Sequence, residues 1–139
     1  MSIIGIWQLK EFSQLLLDTS DVVRPFGDAP TGYIHYSIGG HMLVFLTAGQ
    51  LPRPSEGYSD AERAEIHKRI INGYVGTHTV EGNKVIHHVL TSARPDFIGK
   101  DQSRFFEING NVLTIKTAPL KTARSGESAV STLIFERVE

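Results

Sequence analysis

The stretch SRFFEINGNVLTIKT, residues 103–117, decides how the chain is read. Phe, Ile, Val, Leu and Thr fill both halves, and Asn109-Gly110 parts them, a dipeptide that takes the positive φ of a tight hairpin turn. Period-two spacing puts Arg104, Phe106 and Ile108 on one face, where Leu113 and Ile115 join them across the turn. Residues 103–108 and 112–117 are therefore predicted to be two antiparallel strands.

The same texture extends outward in both directions. Thirteen glycines punctuate the 139 residues at short intervals, and the runs between them are rich in Val, Ile, Thr, Phe and Tyr. Strands are predicted over residues 6–17, 33–38, 41–47, 73–80, 84–92 and 129–138. Gly39-Gly40 makes one tight turn, Glu81-Gly82-Asn83 another, and a polar loop at 121–128 precedes the last strand. One helix interrupts them, over residues 59–72. Ser59-Asp60-Ala61-Glu62 reads as a capping box, Ile66 and Ile70 give an apolar stripe flanked by Ala61 and Ile71, and Asn72-Gly73 is a C-terminal stop. About eight strands and one short helix in a chain of this length predict a single domain over residues 1–139. Its expected class is all-β, a closed antiparallel up-and-down barrel, because closure removes aggregation-prone edges.

Composition narrows the function. Hydrophobic residues make up 40% and charged residues 21%, ordinary globular usage, and the net charge of −1 offers no pull on a polyanion. Nucleic acid is not an expected partner. The absence of cysteine excludes disulfides, thiolate nucleophiles and Cys-based metal sites. Residues 1–10 lack a basic segment followed by an apolar run, and no window has the length of a membrane span. The expectation is a cytoplasmic protein without a membrane partner.

Gly5-Ile6-Trp7 opens the first strand, and Arg137 stands just before Val138-Glu139. This resembles the lipocalin and calycin pattern, in which a G-x-W places tryptophan at the closed end of a barrel and a basic residue of the last strand packs across the indole. Pro25-Phe26-Gly27, Gly32-Tyr33, Gly73-Tyr74, His87-His88-Val89, Ser92, Pro95, Gly99 and Arg104-Phe105-Phe106 follow in an order similar to small stand-alone lipocalin-like domain proteins of bacteria and fungi. The resemblance implies a calycin-type barrel with an interior ligand. Some such proteins accompany natural-product biosynthesis. Where that family often carries tyrosine, this chain has His78.

Candidate anchors for a ligand come from the strands. A two-residue turn at Gly82-Asn83 sets His78 opposite His87, on a face shared with Tyr74, Gly76, Val80, Val85, Val89 and Thr91, while His88 points the other way. Two imidazoles on an apolar face can hold a ligand carbonyl or move a proton, or simply be solvated or hydrogen-bonded core groups. No metal site is expected, because no H-x-H or H-E-x-x-H spacing occurs. Arg104, among apolar neighbours, needs either a ligand carboxylate, phenolate or enolate or a nearby Asp or Glu. Tyr33 and Tyr74 can each present a hydroxyl, Phe106 shares the face of Arg104, and Arg94-Pro95-Asp96-Phe97 and residues 50–58 read as rim loops. Residues 41–46, HMLVFL, are apolar on both faces, so the helix or a second subunit, in a homodimer, must cover the outer one.

The residues thus support a barrel that binds a small hydrophobic metabolite, without cofactor, through Tyr33, Tyr74, His78, His87, Arg104 and Phe106. The alternative is a cofactor-free isomerase, cyclase or dehydratase on the same scaffold, acting through His and Arg acid–base chemistry on a natural-product-like substrate. A pure interaction module built on the 41–46 surface is the third reading.

Overall fold

The structure, a computed structural model, describes residues 2–122 and 126–139. Residues 123–125 of the polar loop expected at 121–128 lie outside them. In chain order the elements are β1 (Gly5–Leu16), β2 (Val22–Val23), β3 (Thr31–Tyr36), β4 (His41–Thr47), α1 (Asp60–Lys68), β5 (Ile70–Glu81), β6 (Lys84–Ser92), β7 (Asp101–Asn109), β8 (Val112–Lys116), β9 (Leu120–Lys121) and β10 (Ser128–Arg137). A short 3-10 turn, Pro95–Phe97, lies between β6 and β7.

Eight of these strands close into an antiparallel barrel in the order β1-β3-β4-β5-β6-β7-β8-β10, with β10 pairing back onto β1 from Trp7↔Arg137 to Leu16↔Ala129. The two-residue strands β2 and β9 flank β1 and β10. Closure leaves the eight long strands no free edge, as the sequence predicts. One end carries only tight turns. Gly82-Asn83 and Gly110-Asn111 both place glycine first, at φ +61°, the arrangement of a type II′ turn. The second turn therefore falls one residue beyond the expected Asn109-Gly110, yet Phe106↔Ile115 and Ile108↔Leu113 still share a face. The longer connections, including α1, gather at the other end and form the mouth.

The turn end is sealed by Trp7, which is fully buried, with the Arg137 guanidinium 4.1 Å from its ring centroid. The indole Nε1–H donates to the Ile3 carbonyl at 2.9 Å, and Arg137 donates to the carbonyls of Ile4 and Ser2 at 2.9 and 2.8 Å. Gly5 makes this possible. It sits at φ +138°, and a Cβ there would stand 2.3 Å from the Glu139 carbonyl oxygen. Tyr36, Met42, Val85, Leu113 and Phe135 complete the apolar core.

Two expectations change. The helix stops at Lys68, not near Asn72, because the β-branched pair Ile70-Ile71 opens β5 and Ile70 pairs with Thr47 of β4. The capping box is present, Ser59 and Glu62 each reaching the other's backbone N–H. The helix buries no residue and does not cover β4, whose outward side chains Leu43 and Phe45 stay 46% and 56% exposed.

Candidate functional site

Inward side chains of the barrel leave a cavity of about 530 Å³ opening at the mouth. Its wall is mostly apolar: Phe12 and Phe26 meet edge to face, and Ile34, Val44, Leu46, Ile115, Leu133 and Phe135 line the middle. Volume and lining are those of a small-molecule site.

A polar chain runs up one wall. Tyr36 on β3, His87 on β6 and Tyr74 on β5 point inward because each sits at the buried phase of its strand. The Tyr36 hydroxyl lies 2.7 Å from His87 Nε2, and the Tyr74 hydroxyl lies 2.6 Å from His87 Nδ1. Tyr36 is fully buried, whereas Tyr74 and His87 reach the cavity. Gln102 and Arg104 of β7 stand beside them, paired with His87 and Val85. Arg104 donates to the Ser103 carbonyl at 2.9 Å and to Gln102 Oε1 at 3.3 Å. Among the described residues it has no carboxylate partner.

Burial, then the Arg104 charge, pushes the His87 pKa down to about 3, so the ring is neutral at neutral pH. Burial raises both tyrosines against the opposing pull of Arg104, Tyr74 to about 12 and Tyr36 well above its ordinary value. The Tyr–His–Tyr chain therefore carries no charge, and among the described residues the permanent charge that acts on it is Arg104. Nearer the mouth, Gln14 donates to Ser131 Oγ at 3.3 Å, and its own Oε1 is buried without a partner among the described residues. Arg94 lies over Phe97 and pairs with Asp96 at the rim.

The predicted site residues divide. Tyr74, His87 and Arg104 line the cavity together. His78 does pair with His87 across the hairpin, but its ring stacks edge-on against Tyr36, 4.9 Å between centroids, and it does not line the cavity. Burial lowers its pKa, and its Nδ1 is buried without a partner among the described residues. Phe106 packs against the core without lining the cavity. Thr91 faces outward, because a bulge between Val75 and Gly76 leaves it opposite Val75 instead of beside Val89. Tyr33 stands on the outer face, 49% exposed, in a shallow apolar groove with Ile6, Leu43, Phe45 and Val75.

Tyr36 was not among the predicted residues. A Gly39-Gly40 two-residue turn would set Tyr33 opposite Leu46 and so on the inner face. The connection is longer, Tyr36 pairs with Met42 and Tyr33 with Phe45, and that one-residue slip exchanges the two tyrosines between faces.

A family model described as a lipocalin-like domain matches residues 4–138. No curated protein matches the chain.

Proposed function

The chain belongs to the lipocalin-like domain family, and from that premise we propose that it binds one small, largely apolar molecule inside its barrel. The observation that carries this is the cavity of about 530 Å³, walled by aliphatic and aromatic groups with a few polar side chains on one side. Loops at the mouth contribute Phe26, Arg94 and Phe97, residue types that set selectivity and entry. The cytoplasm is the proposed setting.

The rival, a cofactor-free isomerase, cyclase or dehydratase, needs a group that takes and gives protons near neutral pH. His87, pushed down to about 3, and Tyr74, pushed up to about 12, lie far from that range. This pattern favours holding a molecule over converting it.

Leu133 is 5% exposed and lines the cavity from β10. Replacing it by tryptophan fills space instead of displacing packed neighbours, so Leu133→Trp is expected to weaken binding of the neutral dye Nile red at least about tenfold while holding or raising the melting temperature. Fluorescence titration and thermal unfolding of the two proteins check this. Unchanged dye affinity in a stably folded Leu133→Trp would place the dye elsewhere.

A further inference from the structure

We propose that the molecule held in the cavity carries a carboxylate, received by the Tyr74 hydroxyl proton and the Arg104 guanidinium. This rests on the reading of the cavity as a ligand site and adds the chemical class of the ligand.

The direction of the Tyr–His–Tyr chain comes first. The Tyr36 hydroxyl is fully buried, and His87 Nε2, at 2.7 Å, is its hydrogen-bond partner among the described residues. An O–H that accepted from Nε2 would leave its own proton buried with no acceptor, which is costly. Tyr36 therefore donates to Nε2. A neutral imidazole then carries its proton on Nδ1. That N–H donates to the Tyr74 oxygen, 2.6 Å away. The Tyr74 proton is thereby turned away from His87 and toward the cavity that Tyr74 lines. A buried tyrosine at the bottom of the barrel thus fixes Tyr74 as a donor to whatever enters.

Charge comes second. The cavity wall includes Arg94, Arg104 and Lys121 and, among the described residues, no aspartate or glutamate, although acids slightly outnumber bases in the whole chain. Arg94 has Asp96 at the rim. Among the described residues Arg104 has Gln102 Oε1 and the Ser103 carbonyl as its acceptors, so part of its fork of donors is uncommitted there. A partly buried guanidinium without a counterion, beside a hydroxyl proton without an acceptor, matches the two oxygens of a carboxylate.

Displacement of Nile red at neutral pH by decanoate, decanol and decylamine, which share a tail and differ in head group, tests the assignment. Decanoate is expected to bind at least about tenfold more tightly than decanol, with decylamine weakest. Arg104→Gln should bring decanoate to the level of decanol, and Tyr74→Phe should weaken decanoate several-fold relative to decanol, each ratio being read within the same variant. Nitrogen NMR of the unsubstituted protein supplies a readout that does not depend on a variant folding: His87 should be protonated on Nδ1. Decanol binding as tightly as decanoate, or His87 protonated on Nε2, overturns the carboxylate assignment and leaves the cavity reading standing. Failure of Nile red and all three probes to bind overturns both.

Discussion

Trp7→Ala is expected to cost about 3–5 kcal/mol of folding stability, the usual range for truncating a fully buried large aromatic side chain. Trp7 is wholly shielded and plugs the turn end of the barrel. Its removal also takes away the surface under the Arg137 guanidinium, 4.1 Å from the ring centroid, and the hydrogen bond to the Ile3 carbonyl. Total stability of a domain this size is about 5–15 kcal/mol, so the variant should unfold at much lower denaturant or fail to accumulate. Arg137→Ala keeps the plug and loses its cover and the bonds to the Ser2, Ile4 and Glu139 carbonyls. It should fall short of the Trp7→Ala loss. Urea unfolding of the three proteins decides this, and a Trp7→Ala loss below about 1 kcal/mol would mean that the plug is not what seals the barrel.

Acidification should destabilise the protein through the cavity wall that carries His87. His87 has its pKa lowered from 6.5 to about 3 in the folded chain. Between those values the unfolded chain binds a proton at this residue and the folded chain does not, so stability falls as pH is lowered from about 6.5 toward about 3 and is flat for this group above that window. The full effect is on the order of 4 kcal/mol at the acid end. His78, also shifted downward by burial, adds in the same direction. His87→Gln does not titrate there and should flatten the dependence, at some loss of stability at neutral pH from the disturbed bonds to Tyr36 and Tyr74. Denaturant midpoints measured across this pH range are the test. An equal slope in the two proteins would show that His87 is already exposed to protonation in the folded state.

Much of the barrel is readable from residue spacing. The hairpin of β7 and β8 tolerates a misplaced turn because moving from Asn109-Gly110 to Gly110-Asn111 changes each pairing by two, which keeps Arg104, Phe106, Leu113 and Ile115 on one face. The same logic brings His87 and Tyr74 inward. The hairpin of β3 and β4 is different, since its connection is one residue longer than Gly39-Gly40 suggests, and an odd shift reverses faces. Alternation does not correct the error there, because His41–Thr47 carries apolar side chains on both sides: Met42, Val44 and Leu46 inside, Leu43 and Phe45 outside. Tyr33 and Tyr36 exchange roles for that reason. A signal for Tyr36 does exist in the register of β1, where Trp7 pairs with Ile34 and Gly5 with Tyr36, but strand-to-strand register across a long loop is not written in local spacing. Burial depth is likewise invisible in sequence. His78 and Phe106 share the inner phase of their strands, yet neither lines the cavity.

The outer groove of Tyr33, Leu43, Phe45 and Val75 is also apolar, which makes the location of a bound molecule the decisive question. Chemical-shift mapping of the isotope-labelled protein with decanoate answers it most directly. A guest inside the barrel shifts the resonances of Tyr74, His87, Gln102, Arg104 and Leu133 and leaves those of Leu43, Phe45 and Val75 in place. Shifts confined to the outer groove, or none at saturating decanoate, would contradict an interior ligand site.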